Sequence, residues 1–427
     1  MELRPQFRQT EAGPVPDNWC IKSLEECVLP DAPICYGILM PGRHCHGGVP
    51  VIKVRDVVAG QIDESNLLLT HPSIDAAYKR SRLAENDVLI TIRGTTGRVA
   101  LVPPSLSGAN ITQDTARLRV RPSVSHEFLY QALQTSGAQR QVALHTIGQA
   151  VRGINIRDVR RVGVPLPKSL SEQRAVATAL SDVDALLGGL DRLIAKKRDI
   201  RHGALQLLLT GRTRLPGFHE DWDHVRLGRL FSFKNGLNKA KRFFGHGTPV
   251  VNYMDVFRSS SMYSTDLDGR VSLTQAELKN FDVQKGDVFF TRTSETPDEV
   301  GIASVILDDA TDVVYSGFVL RARPRDCSLI DKYKAYCFGS AFVREQIVSR
   351  ASYTTRALTN GRILSDVVLP LPSRPEQVAI AAVLCDMDAE LEALEARRDK
   401  TGDIRRAMMQ ELLTGKTRLV PAGGAHA

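Results

Sequence analysis

Residues 172–215 of this chain return at residues 376–419, displaced by 204 positions without a gap. Glu172-Gln173 meets Glu376-Gln377, Leu180 to Asp184 meets Leu384 to Asp388, and Asp199 to Arg201 meets Asp403 to Arg405. Roughly half of the paired positions are identical, far above chance for two segments of one chain, so any fold must be built twice. The duplication reaches further. Pro165-Leu166-Pro167 answers Pro370-Leu371-Pro372, and the only two tryptophans, Trp19 and Trp222, each stand five residues before a leucine, Leu24 or Leu227. A weaker echo relates Glu85 to Val102 with Lys285 to Ile306. Each copy is thus a variable block of about 150 residues followed by a well-matched segment of about 45.

The matched segment reads as a long helix. Spacing by three and four selects Val176, Leu180, Val183, Leu187, Leu190 and Ile194, then Lys197, Arg201, Ala204 and Leu208. The second copy gives Ile380, Leu384, Met387, Leu391 and Leu394, then Arg398, Thr401, Arg405, Met408 and Leu412. That is the seam of a coiled coil, interrupted by a polar stretch at the same place in both copies. Ser171 and Pro375 stand where the helices should start, with Glu172 and Glu376 near the positive end of the dipole. At 1.5 Å per residue, about 38 helical residues span roughly 57 Å, and so long a seam needs a partner. The cheapest partner is the other copy, set antiparallel by two-fold pseudosymmetry, with the two blocks carried at opposite ends. The bland alternative is a pair of unrelated surface helices, each packed on its own block.

Both segments close on Thr-Gly-(Arg/Lys)-Thr, and Gly415-Lys416-Thr417 has the ending of a phosphate-binding loop. That loop needs a glycine five positions earlier, where this chain has Gln410, and the first copy replaces the lysine with Arg212. Gly211 and Gly415 instead fall where a left-handed helix C-cap is wanted.

The blocks read as α+β. Short apolar strands bounded by Gly, Pro, Asn and Asp dominate the middle of each, at Val49 to Val57, Asn86 to Gly94 and Thr115 to Pro122, and again at Thr248 to Phe257, Gly286 to Glu295 and Tyr315 to Pro324. A helical stretch closes each block, from His126 to Ile147 and from Leu329 to Ala351, and a loop follows. Loops and strand ends carry the polar residues suited to nucleic acid. In the first block these are Arg43, Lys53, Arg55, Arg93, Thr95, Arg98, Gln149, Arg152 and Asn155. In the second they are Lys234, Asn235, Asn238, Lys239, Lys241, Arg242, Asn252, Arg292, Thr293, Arg356 and Asn360. Arg pairs bidentately with guanine and Asn or Gln with adenine, while Lys, Ser and Thr hold phosphates. The competing reading is that loop arginines are simply solvated. Lys234 to Arg242 is the densest cluster, beside Phe233, Phe243 and Phe244.

Catalytic patterns are missing. The only Pro-Pro pair, Pro103-Pro104, follows Val102 and so makes no amino-methyltransferase loop. No glycine-rich turn fits a dinucleotide, and none of Pro16-Asp17, Pro30-Asp31 or Pro297-Asp298 continues into a nuclease acid-x-Lys. Cys35, His44, Cys45 and His46 match no closed zinc-site spacing, so no metal is expected. Asp182, Asp184, Asp386 and Asp388 are paired carboxylates on the helices, read as solvated or interface groups. Composition adds little: a formal charge of +8 allows a polyanionic partner. No run of about 18 apolar residues suggests a membrane span. Seven cysteines without repeating spacing suit reduced thiols in the cytoplasm.

Two variable blocks, each ended by Pro-Leu-Pro, Glu-Gln and a long helix closing on Leu-Leu-Thr-Gly-(Arg/Lys)-Thr-Arg-Leu, resemble the specificity (S) subunit of bacterial type I restriction–modification systems. The resemblance runs from about Val15 to Leu419, and the stretches Val15 to Trp19, Gly286 to Thr296, Phe233 to Gly245 and Gly153 to Val159 are similar to those of target recognition domains. It implies target recognition domains at 15–167 and 216–371, spacer helices at 168–215 and 372–419, and disordered tails at 1–14 and 420–427. Each domain would read half of a bipartite site in double-stranded DNA. The helices would fix the unread spacer and dock two modification (methyltransferase) subunits, with restriction (translocase–nuclease) subunits joining them. S-adenosylmethionine, ATP and Mg would then sit on partners and this chain would be non-catalytic. A coiled-coil scaffold that reads no DNA, and a self-sufficient DNA enzyme, are the other classes to weigh.

Overall fold

A computed structural model of the chain describes residues 7–10, 13–148, 152–353 and 355–419. It divides into two compact units, Met1–Asp191 with Arg397–Ala427, and Arg192–Ala396. The boundary cuts across both long helices, Leu170–Leu208 and Arg374–Leu412, each of 39 residues, so each unit holds one block and a stretch of both helices.

In the first unit the central strand Val88–Thr91 lies between Val99–Leu101 and Thr115–Leu118, all antiparallel, with Cys35–Tyr36 at the edge. All four residues of Val88–Thr91 are buried. Alternation explains why: Val88 and Ile90 face a core with Trp19, Phe128 and Leu180, while Leu89 faces a second core with Ile52, Ala100 and Ile111. A strand covered on both faces reads as a continuous apolar run. Trp19–Ser23 pairs with Gly163–Pro167, so the start of the block is stitched to the Pro-Leu-Pro segment that ends it.

The second unit repeats the plan. Val288–Thr291 lies between Val319–Pro324 and Ala303–Ile306, Phe231–Asn235 extends the sheet, and Asp223–Arg226 pairs with Val368–Leu371. Val288 and Phe290 face the core containing Phe231, Tyr333 and Leu384, and Phe289 faces the other, with Val251 and Tyr315. The single helices expected to close the blocks are each two: His126–Leu133 and Ser136–Leu144, then Asp331–Cys337 and Ala341–Arg350. The reason is local. Thr135 accepts from the Ala138 N–H and Ser340 from the Val343 N–H, each starting a fresh helix. The loops that follow likewise contain short helices, Ile156–Arg161 and Gly361–Ser365.

The long helices begin one residue before the expected starts, at Leu170 and Arg374, and the Glu172 N–H is capped by the Ser169 hydroxyl at 3.4 Å. They end as expected from their glycines: Gly211 and Gly415 have φ of +69° and +71°. Within the first unit Asp184 pairs with Arg405, Asp191 with Arg398 and Glu172 with Arg418; one number rises as the other falls, so the helix segments run antiparallel. Within the second, Lys197 pairs with Glu390, Arg201 with Asp388 and Arg214 with Glu376, again antiparallel. The polar interruption of the seam is therefore a row of ion pairs, repeated by the pseudosymmetry. Of the apolar seam residues, Val176, Leu180 and Leu412 join the first block's core, and Ile380 and Leu384 the second's, with Met387 against it. Leu190, Ile194 and Leu391 are buried, and Val183, Leu187 and Leu394 half-buried.

The Glu-Gln pair that opens each helix locks block to helix. The Gln173 side chain accepts from the Ser125 N–H at 2.8 Å and donates to the Pro167 carbonyl at 2.9 Å. Gln377 does the same with the Ile330 N–H and the Pro372 carbonyl, both at 3.0 Å. Glu376 takes both Arg214 and the Trp222 indole N–H, the latter at 2.8 Å.

Candidate nucleic-acid interface

In the first block the loop after Val88–Thr91 is tied back by a bridge between Arg93 and Gly153, and the Gly94 N–H donates to the Arg152 carbonyl at 2.9 Å. This brings Arg93 and Asn155 to one cleft of about 680 Å³, with Tyr36, Leu39, Gln113 and Ile147 in its wall. Thr95 and Arg152 are exposed nearby in sequence. Arg98 turns elsewhere: its guanidinium donates to the Val57 carbonyl at 3.0 Å. Lys53 precedes and Arg55 sits within the turn Val54–Asp56, where the Lys53 N–H and the Arg55 side chain both donate to the Asp56 carboxylate, at 2.8 and 3.2 Å. Arg43 is exposed on the loop between Cys35–Tyr36 and Val49–Ile52. Gln149 lies outside the described residues.

In the second block Thr293 and Arg356 line a cleft of about 450 Å³ with Tyr253, Phe257 and Phe318. The Tyr253 and Phe257 rings stack at 5.7 Å, and Phe318 is 65% exposed beside them. Arg292 is half-buried beside it: its N–H donates to the Phe318 carbonyl, its carbonyl accepts from Thr359, and its Nε is buried without a partner among the described residues. Asn360 and Asn252 both start short helices. Asn360 accepts from the Arg362 and Ile363 N–H groups at 3.0 Å, and the Asn252 N–H donates to Asp255 at 2.8 Å.

The dense cluster divides. Lys234 donates to the Asn280 side chain at 2.6 Å and lies over the Phe281 ring. Lys239 sits between the Ser272 carbonyl at 2.8 Å and the Glu277 carboxylate at 2.7 Å. The Lys239 hydrogen bond, followed by the Thr274 N–H, holds the Glu277 carboxyl below its usual range. Asn235, Asn238, Lys241 and Arg242 are exposed, Arg242 stacking over the Phe243 ring at 5.0 Å. Gly317 makes this packing possible, since a Cβ there would lie 2.1 Å from the Asn238 Oδ1. Sequence reasoning passed over Tyr36, Gln113, Tyr253, Phe257 and Phe318. Phe318, an apolar residue following Ser316-Gly317, and the i,i+4 pair Tyr253/Phe257 were the available signals.

Among the described residues no group of three or more His, Cys, Asp or Glu is placed to hold a metal ion. Nor is any described helix long and apolar enough to cross a membrane.

Comparison with known proteins bears on both blocks. The family described as type I restriction modification DNA specificity domain matches residues 45–194 and again 219–400. The chain is 28% identical over 181 residues to the specificity subunit of type I restriction enzyme EcoBI of Escherichia coli, covering 42% of this chain and 38% of that one. It is 20% identical to the specificity subunit of type I restriction enzyme MjaVIII of Methanocaldococcus jannaschii, over 97% of this chain and 96% of the relative. Among solved structures it shares its fold with the type I S subunit from M. genitalium, with a TM-score of 0.56, 15% identity and coverage of 96% and 99%. A chain from a structure concerned with complex assembly and conformational transition of the type I R-M system gives a TM-score of 0.57, 20% identity and coverage of 94% and 99%. With one specificity-domain match in each block and the shared fold spanning both, the chain belongs to the type I restriction–modification DNA specificity family.

Proposed function

We propose that this chain is the DNA-reading subunit of a type I restriction–modification complex, in which each block reads one half of a bipartite site in double-stranded DNA. The observation that carries the reading is the presence of a specificity-domain match in each block, 45–194 and 219–400. Each block also has a cleft lined by arginine and aromatic side chains, Arg93 with Tyr36 and Arg356 with Phe318. In this reading the two 39-residue helices set the unread spacer. They also offer the surface on which two modification subunits, with S-adenosylmethionine, and the restriction subunits, with ATP and Mg, assemble. The chemistry then belongs to the partners and the choice of sequence to this chain, acting in the cytoplasm where the DNA is.

The test inserts a four-residue turn after Leu190 and maps methylation in cells carrying the chain with its modification subunit. Preserved half-sites with a changed spacer, or loss of assembly, is the expected result. Unaltered methylation of the original site refutes the ruler. Binding that does not weaken as salt rises would favour a scaffold over a reader.

A further inference from the structure

The first block has a second cavity, of about 390 Å³, which shares Tyr36 and Ile156 with the cleft described above. Lys79, Arg80 and Arg160 line it, against a single acid, Asp31. Arg117, which also lines it, is only 2% exposed. It comes from the central sheet, opposite Leu89. One terminal nitrogen donates to the Pro33 carbonyl at 3.1 Å, its Nε is buried without a partner, and no carboxylate among the described residues pairs with it. Arg119, just past the end of the strand, is already neutralised by Asp87, at 2.9 and 2.7 Å.

The second block supplies the internal control. Arg321 occupies the same place, opposite Phe289, and is buried too. Its Nε is also buried without a partner, but there the charge is met: Arg321 reaches the Asp282 carboxylate at 3.3 Å and its carbonyl at 2.6 Å, and it lies over the Tyr315 ring. Asp282 stands five residues before Asp287; five residues before the equivalent Asp87 the first block has Arg82, drawn off to Asp75. The first block has thus exchanged the acid for a base and kept the guanidinium. Burying a charge without a counter-charge is costly, so an anion from outside is the natural complement.

We propose that this cavity binds a phosphate group, with Arg117 at its floor and Lys79 and Arg80 at its rim. A guanidinium matches phosphate oxygens, and the exposed Lys79, with Arg80 over the Tyr36 ring, adds charge at the mouth. Because the cavity adjoins the cleft assigned to DNA, a backbone phosphate of the bound duplex is one source, an assignment that rests on the proposed function. A free phosphate presents the same chemistry.

The first arm of the test measures thermal unfolding of the full chain in inorganic phosphate against chloride at equal ionic strength. The wild type should gain stability saturably, and Lys79→Gln with Arg80→Gln, which alters only exposed side chains, should abolish the gain, as should Arg117→Met. No saturable gain in the wild type, or an equal gain in the rim variant, overturns the pocket. The second arm measures duplex binding by the assembled complex as salt rises. A slope shallower by about one to two in the rim variant assigns the group to the DNA backbone. An unchanged slope in a rim variant that has lost the wild type's phosphate protection assigns it to a free phosphate. A wild-type complex that binds no DNA refutes the reading subunit and leaves the first arm to judge the cavity alone.

Discussion

Adding one methyl group at each helix stop separates two effects that the pseudosymmetry otherwise ties together. Gly211 and Gly415 have nearly the same backbone, φ +69° and +71°, so an alanine at either pays a left-handed penalty of about 1–2 kcal/mol. Their surroundings differ. A Cβ on Gly211 would meet the Trp222 ring at 3.5 Å, an ordinary contact. On Gly415 it would stand 2.5 Å from the Pro16 Cγ and 3.1 Å from the Trp19 Cε2, so the block must shift, at about 1–3 kcal/mol more. Gly415→Ala should therefore cost about 2–5 kcal/mol and Gly211→Ala about 1–2. The two tryptophans make the assay, since each lies in one unit beside the glycine concerned. Urea midpoints read by fluorescence, with Trp222→Phe as background for Gly415→Ala and Trp19→Phe for Gly211→Ala, report each unit separately. A Gly211→Ala cost equal to or above that of Gly415→Ala would show that backbone strain alone governs these stops.

Lys241→Ala should weaken DNA binding at every sequence and flatten its salt dependence by about one unit, whereas Lys239→Ala should leave the slope alone, because Lys239 is held by Glu277; equal slopes for Lys241→Ala and wild type count against a phosphate contact. Reversing Arg405 alone to Asp should cost about 1–3 kcal/mol, below a fully buried pair because water screens it, and adding Asp184→Arg should recover at least half, checked by urea midpoints. A double variant no better than the single removes the pair from the account of the seam. Glu277 titrates below its usual 4.5 in the fold, so its contribution is complete only well above that value and is lost as pH falls from there through the lowered value. Amide protection over Gln275–Asn280, taken relative to the intrinsic exchange rate at each pH, should fall only in that acid window, and Lys239→Gln should move the window up; protection indifferent to pH there contradicts the clamp.

What was legible in advance follows from locality. Helix periodicity and the stop glycines are written within a few residues of where they act, and the left-handed Gly211 and Gly415 bear that out. That the two blocks carry matching strands along the chain was readable through the repeat, and Val88–Thr91 and Val288–Thr291 do occupy the same place in each sheet. Ends of elements were less so: Thr135 and Ser340 restart helices because a hydroxyl outcompetes continuation, a choice of about one hydrogen bond. Which polar residues stay available to a ligand was least legible. Arg98, Lys234 and Lys239 have the same chemistry as Lys241 and Arg242, yet they are engaged by Val57, Asn280 and Glu277, partners far away in sequence. The crosswise ion pairs were hidden for the same reason, since nothing local tells Asp184 that it will meet Arg405.

Those crosswise pairs have an evolutionary corollary. Glu172 is answered by Arg418 and Glu376 by Arg214, so each arginine is encoded in the copy that does not contain its glutamate. Both copies spell the socket with the same letters, and a block acquired by recombination together with its helix would find its matching arginine already in place in the other copy. Selection can then exchange heads wholesale while the frame that accepts them stays constant.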